Sequence, residues 1–496
     1  MGYNPITSLA PPKGAKLQNP ITLLRMLGPR QWAFFLVSLL AWTWDAFDFF
    51  TVSLTLSTIA EDLSTKERTI SLTQASFGIT LALMTRSVGA IIFGALSDRF
   101  GRKWPFVANV VLYSMVEMST GFVQTFEQFL GVRALFGVFM GGIYGACAAT
   151  ALEDAPAPAR GLLSGLLQQG YAMGNLLAAG FYLAIVPNTE HTWRSLMWFG
   201  AGPALLIAAW RAWLPETDTY LRKRAALRAA ASAGLETGDS NTEAFVRSIK
   251  PALKTHWMTL IYLVALMAGF NFLSHGSQDL YPSLLKLEKG FTPTLVTQTT
   301  VVSSFGAILG GTICGWLSDV VGRRLMIISI CCLGAALIYP WAYTDGKIIM
   351  LAAFAEQFCV QGAWGVIPIH LMELAPPNFR AFVVGTSYQL GNLASSASST
   401  IEAKIGAQFP LPDLVVKGKH TKRYNYGKVM AIFIACVYIY IIVIIALGPQ
   451  NQGIDLDIVP ESEKFDHKQN EDEAESFDMS KSHNVTQIEH VESSRY

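Results

Sequence analysis

Apolar residues fall along this chain in long blocks separated by short polar breaks, without the strict alternation of strands. A block of roughly 20 mostly apolar residues is long enough to cross a bilayer as an α-helix. Such blocks start at Gln31, Leu72, Val107, Phe129, Gly161 and Trp193, and again near Trp257, Leu295, Leu325, Ile348, Phe379 and Lys428. The pattern predicts an all-α membrane protein with 12 transmembrane helices in two six-helix bundles. The expected organisation is a cytosolic N-terminal segment (1–30), a first bundle (31–216), a charged cytosolic linker (217–256), a second bundle (257–448) and a tail (449–496).

Composition agrees. Hydrophobic residues make up 51% of the chain and charged residues 15%, against about 25% charged in soluble domains. The net charge of +1 hides an acidic stretch from Asn451 to Tyr496, which is too polar to bury a core and is expected to be disordered. Its serines (Ser462, Ser476, Ser480) and lysines (Lys464, Lys468, Lys481) suit a kinase and a ubiquitin-ligase adaptor as partners, or simply a solvated spacer. The Asn484 glycosylation sequon would be unused in the cytosol. All six cysteines sit in apolar runs without metal-ligand spacing and are expected to be free thiols. The first thirty residues hold no apolar stretch, so the first span is expected to direct insertion. No metal-ligand cluster, nucleophile motif or phosphate loop appears, which argues against an enzyme.

Basic residues orient the spans. Arg99, Arg102 and Lys103 follow span 2, Arg160 follows span 4, Arg222, Lys223 and Arg224 lie in the linker, and Arg323 and Arg324 follow span 8. These place both termini in the cytosol. One loop dissents: Lys417, Lys419, Lys422 and Arg423, between spans 11 and 12, would face outside.

The two bundles repeat each other. Gly94-Ala-Leu-Ser-Asp98-Arg99-Phe-Gly101-Arg102-Lys103 returns as Gly315-Trp-Leu-Ser-Asp319-Val320-Val-Gly322-Arg323-Arg324. Glu153-x-x-Pro156-x-x-x-Arg160 returns as Glu373-x-x-Pro376-x-x-x-Arg380, and Tyr171-x-x-Gly174-Asn175-Leu176 as Tyr388-x-x-Gly391-Asn392-Leu393. Parallel repeats of this kind are a transporter architecture. The duplicated loop motif, with Arg133-x-x-x-Gly137-x-x-x-Gly141-Gly142 and Leu214-Pro-Glu-Thr217, resembles the major facilitator superfamily over about residues 30–448. Rocking of two halves needs a breakable contact, and Asp98, Arg99, Arg102, Glu153, Arg160, Asp319, Arg323, Glu373 and Arg380 are the candidate gate. The bland alternative is that these charges only orient and solvate short loops. Val320 stands where the first copy has Arg99, which weakens the second charge network.

Ionisable residues within spans carry the chemistry, because a charge at the bilayer centre costs about 2.5–3.5 kcal/mol on insertion scales. Candidates are Asp45, Asp48, Arg86, Glu117, Arg133, His275, Asp279 and Glu356. Span 7 is the densest. At 100° per residue Asn271, Ser274, His275 and Gln278 share one arc with Asp279 at its edge, while Ser277 falls off it and can bond its own backbone. Gly276 and Pro282 weaken the helix beside this stripe. The stretch Asn271-x-x-Ser274-His275-x-Ser277-Gln278-Asp279-x-x-x-Ser283 resembles the N-x-x-[ST]-H-x-[ST]-Q-D-x-x-x-T signature of the fungal lactate/pyruvate–proton symporter family, with Ser283 replacing the final Thr. The resemblance implies a plasma-membrane, proton-coupled carrier of short carboxylates (lactate, pyruvate, acetate, succinate, malate), with Asn271, Ser274, His275, Ser277, Gln278 and Asp279 as substrate and coupling residues.

Arg86 presents a planar fork suited to a carboxylate, or else pairs structurally with Asp45, Asp48 or Glu117. Asp45 and Asp48 share a helix face and are either a close acidic pair that carries a proton or one surface acid and one Arg86 partner. Asn175 and Asn392 are repeat-related amides that either bind substrate or pack helices. Glu117, Glu356 and Arg133 read as structural ion pairs. Expected partners are a small carboxylate, a proton and the lipid bilayer. No nucleic acid and no cofactor are expected, the proton gradient is the driver, and the monomer is the expected unit. A sugar facilitator of the same fold and a nutrient receptor signalling through its tail are the competing readings.

Overall fold

The structure, a computed structural model, describes residues 9, 11, 16–66, 68–70, 72–222, 224–225, 241–406, 408–416, 419–449, 451–452 and 456. The expectations for the acidic tail beyond Leu456, including its serines, lysines and sequon, lie outside the described residues, as do those for Lys223 and Lys417.

Among the described residues, helices occupy all twelve expected span positions. The first bundle holds span 1 (Pro29–Asp62), span 2 (Leu72–Phe100), span 3 (Lys103–Thr120), span 4 (Phe126–Met140 and Ile143–Leu152), span 5 (Arg160–Gln168 and Gly170–Ile185) and span 6 (Trp193–Trp213). The second holds span 7 (Asn241–Gln278), span 8 (Pro293–Val321), span 9 (Arg323–Tyr343), span 10 (Ile349–Leu374), span 11 (Arg380–Ser395 and Ser398–Gly406) and span 12 (Tyr426–Leu447). Among the described residues, nine hold a stretch long and apolar enough to cross a bilayer by length and composition. Spans 3, 6 and 11 are less apolar because they carry polar residues turned inward: Glu117, Arg211, Gln389 and Asn392 are all buried.

Two features depart from the sequence reading. The helix of span 7 begins at Asn241, inside the stretch expected to be linker. Its Glu, Ala, Arg and Lys residues are good helix formers, so the helix runs past the apolar block. The basic loop between spans 11 and 12 is an antiparallel hairpin, β1 (Pro410–Val416) paired with β2 (Lys419–Tyr424), the one sheet among the described residues. Leu-Val-Val on β1 and Thr-Lys-Arg-Tyr on β2 include the β-branched and aromatic residues that favour strands.

The repeat is visible in the backbone. Gly101 and Gly322, matched positions of the duplicated loop, both take φ 100°, where a side chain would be strained. Across the seam, span 2 packs on span 11 and span 5 on span 8. A Cβ on Gly315 of span 8 would lie 2.7 Å from Gly165 Cα of span 5, so only glycine permits that approach. Spans 4, 5 and 11 are interrupted midway, and span 7 ends at Gln278 before a short turn (Tyr281–Ser283) and a π-helical turn (Leu284–Glu288). Pro282 in that turn fits the break, whereas Gly276 stays helical with Phe433 packed on its bare face.

Candidate functional site

At the end carrying the duplicated loops, charges lock each half and join the two. Arg102 bridges Asp98 (2.6 Å) and Glu153 (2.6 Å). Burial opposes the Arg102 charge, but the two carboxylates outweigh it and raise its pKa above the ordinary arginine value. In the second half Arg323 bridges Asp319 (2.7 Å) and Glu373 (3.2 Å) in the same way. Asp98 also reaches the other half, accepting the N–H groups of Ala381 (3.3 Å) and Phe382 (2.8 Å) at the start of span 11. A carboxylate at a helix N-terminus meets free N–H donors and the positive end of the helix dipole. Asp319 approaches the start of span 5, where a Cβ on Gly161 would touch its carboxylate. The Arg160 side chain donates to the Ala155 carbonyl (3.0 Å), Arg380 feels the charges of Glu153 and Asp98, and Arg99 stacks over Phe100 at 4.4 Å.

A cavity of about 470 Å³, including its mouth, lies at the seam between the halves. It is lined by Phe49, Leu83, Arg86, Gln168 and Tyr171 of the first half. The second half contributes Asn271, Ser274, His275, Gln278, Asp279, Gln361, Trp364, Tyr388 and Asn392. The side chain of Asp279 is 42% exposed and that of His275 15%, so the cavity opens away from the charge lock.

Arg86 is positioned by glycines: a Cβ on Gly141 of span 4 would run into the Arg86 carbonyl, so span 4 lies flush against span 2 here. Its guanidinium is buried between the Phe49 ring (5.0 Å) and the Met140 thioether (Nε to Sδ 3.2 Å), with Asp45 at 3.8 Å. Thioether sulfur is a weak acceptor, and 3.8 Å exceeds hydrogen-bond length, so the fork keeps capacity for a stronger anion. Opposite, His275 Nδ1 lies 3.0 Å from Asp279 and Nε2 3.0 Å from the Asn392 oxygen. A neutral imidazole donates from one nitrogen only, whereas both acceptors are served by the protonated ring.

Span 10 braces span 7. Gln278 donates to the Gln357 oxygen (3.0 Å), Gln357 donates to Ser277 Oγ (3.2 Å), and Ser277 donates to the Ser274 carbonyl (3.2 Å). Trp364 Nε1 donates to Ser274 Oγ (2.7 Å), and Asn271 donates to the Met267 carbonyl (2.8 Å). Ser277 therefore faces span 10 and stands outside the cavity lining, as do Asp45, Asp48 and Asn175. Asp48 packs beside Gly200 of span 6, within electrostatic reach of Asp45, Glu117 and Arg133. Arg133 and Glu117 form a buried ion pair supplemented by Thr120. The reading of Glu356 as half of an ion pair is corrected: it accepts the hydrogen bond of the Tyr438 hydroxyl (2.7 Å), and its other oxygen is buried without a hydrogen bond.

Below the cavity, toward the charge lock, aromatic rings from both halves close the path. Tyr144 stacks on Tyr388, and Trp42 and Trp364 pack edge-on against Tyr388 at 6.0 and 5.8 Å. Gln168, Gln361, Tyr171, Trp364 and Tyr388 were not singled out from sequence as site residues. An amide inside an apolar span is a usable signal for the two glutamines; aromatic residues in a membrane span carry no comparable one.

Residues 31–462 match the family model described as "Sugar (and other) transporter". The chain belongs to this family of major facilitator transporters. It is 38% identical over 471 residues to the "Carboxylic acid transporter protein homolog" of Saccharomyces cerevisiae, covering 93% of this chain and 75% of that protein. It is 26% identical to the "Cis,cis-muconate transport protein" of Acinetobacter baylyi, covering 76% of this chain and 88% of that protein. Among solved structures, the proton:xylose symporter XylE overlays with a TM-score of 0.65 at 18% identity, covering 86% of this chain and 98% of that one. The human organic anion transporter MFSD10 gives 0.62 at 13% identity, covering 84% and 100%. These overlays support the fold. The protein is a multi-pass membrane transporter and not an enzyme.

Proposed function

We propose that this transporter is a proton-coupled symporter that imports short-chain carboxylates. The observation that carries the reading is the pairing across one cavity of Arg86, whose fork holds no carboxylate within hydrogen-bond distance, with a His275–Asp279 pair able to take up a proton. The relatives named for carboxylic acid and muconate transport support the substrate class. A sugar site would need no buried guanidinium.

A proton lodges on the His275–Asp279 pair, which sits at the open side and offsets the negative charge there. The substrate carboxylate binds Arg86 in competition with Asp45, and the amides of Asn271, Gln278 and Asn392 complete the site. With charges balanced, the halves rock: the Tyr144–Tyr388 stack separates and Asp98 leaves the start of span 11. The proposed setting is the plasma membrane, with both termini and the charge lock cytosolic and the monomer as the working unit.

The test is uptake of labelled lactate and succinate into proteoliposomes under an imposed pH gradient, with acetate, pyruvate and malate as competitors. Uptake should rise as the external side is acidified and collapse with a protonophore. Gradient-independent uptake would remove the proton; uptake of xylose but of no carboxylate would remove the substrate class.

A further inference from the structure

The outer loops of the two halves differ sharply in charge. In the second half, residues 284–292, 344–348 and 402–428 hold nine Lys and Arg against four Asp and Glu, a net of +5. The corresponding loops of the first half, residues 61–71, 121–127 and 186–194, hold three against five, a net of −2. The excess is concentrated on the hairpin, whose second strand carries Lys419, His420, Lys422 and Arg423. This is also the one loop that opposes the usual distribution of basic residues.

The hairpin is placed beside the cavity mouth. Strand β2 packs on the Leu284–Glu288 turn that follows Asp279, the exposed end of the site. Glu288 accepts the Gly427 N–H at 2.9 Å, which ties the start of span 12 to the turn after span 7, and Asn425 N–H donates to the Phe409 carbonyl at 2.9 Å, which closes the base of the hairpin. Glu288 thus spends its carboxylate on the start of span 12, and Glu402 is buried. Two of the four acids are therefore withdrawn from the outer surface, as is Lys289, whose side chain is 9% exposed and pairs with Asp345 at 2.8 Å, whereas Lys286 and Lys404 are exposed there.

We propose that the basic hairpin and its neighbouring lysines form an electrostatic funnel that concentrates anionic substrate at the mouth of the carrier. The inference rests on the carboxylate reading above and adds to it a capture surface outside the binding cavity. A positive potential raises the local concentration of an anion by a Boltzmann factor, so the effect must grow with the valence of the anion and shrink with screening. A potential of about one kT at the mouth concentrates a monoanion about threefold and a dianion about sevenfold. Exposed charges lose most of this influence beyond the Debye length, about 10 Å at 0.1 M salt.

The experiment uses the full-length protein in proteoliposomes at neutral external pH, where lactate carries one charge and succinate two. KM, or the inhibition constant where an acid only competes, is measured for wild type and for the triple variant Lys419→Gln, Lys422→Gln, Arg423→Gln at low and high salt. The variant should raise the lactate constant about threefold and the succinate constant about sevenfold at unchanged kcat, and high salt should bring wild type to the variant's values. Equal constants in the two proteins, or the same fold loss for both valences, would overturn the funnel. If the variant does not fold, wild type alone decides: raising salt must weaken succinate more steeply than lactate, and equal slopes overturn the proposal. A wild type that takes up or binds no carboxylate at any salt concentration refutes the function reading instead.

Discussion

Tyr144 of span 4 and Tyr388 of span 11 stack face to face across the seam, with ring centroids 4.0 Å apart and planes 17° from parallel. Each ring belongs to a different half, so any opening toward the charge lock must part them. An aromatic pair contributes about 0.5–1.5 kcal/mol beyond its burial. Tyr144→Ala should shift the resting equilibrium toward the conformation open at the lock by about two- to tenfold. Spin-label distances between the 94–103 and 373–380 loops would register the shift, and an unchanged distribution would show that the stack is not a barrier.

The two charge locks should differ in their weight on gating. Asp98 crosses the seam with hydrogen bonds to the Ala381 and Phe382 N–H groups, whereas Asp319 meets the Gly161 backbone of span 5 more weakly, with one oxygen in no hydrogen bond of ordinary geometry. Hydrogen bonds to a charged group contribute about 1.5–3 kcal/mol. Asp98→Asn should open the lock end about ten- to hundredfold more often, and Asp319→Asn less, by the same label distances. Equal effects would mean that each lock acts only within its own half.

Arg86→Lys preserves the charge but loses the planar fork. If a substrate carboxylate is gripped there, KM should rise about ten- to hundredfold at normal membrane expression. Uptake at wild-type KM would remove Arg86 from the site.

The Arg133–Glu117 pair is fully buried and stands apart from the cavity lining. Breaking it strands a charge, at about 3–5 kcal/mol. Glu117→Leu should therefore lower thermal stability in detergent strongly, and the double variant Glu117→Leu, Arg133→Leu should recover most of it. Failure of the double variant to recover would assign the pair a role beyond structure.

Much of this molecule could be read from the order of its residues. Spans are written in local hydrophobicity, because a helix in lipid must bond its own backbone whatever its neighbours do. The repeated turns are written in Gly101 and Gly322, because a φ of 100° suits glycine wherever the chain goes next. The polar arc of span 7, including the exclusion of Ser277, follows from the helical period alone. Tertiary structure decided what period and composition leave degenerate. Asn175 and Asn392 occupy matched positions in the repeat, yet of the two only Asn392 lines the cavity, where it meets His275 of span 7. Asp45 and Asp48 share a face of span 1, but Arg86 lies beside one and Arg133 and Glu117 near the other. Glu356 resembles any other buried acid until Tyr438 is seen beside it. These distinctions arise where helices meet, between residues distant in the chain, and no local pattern encodes which neighbour will be there.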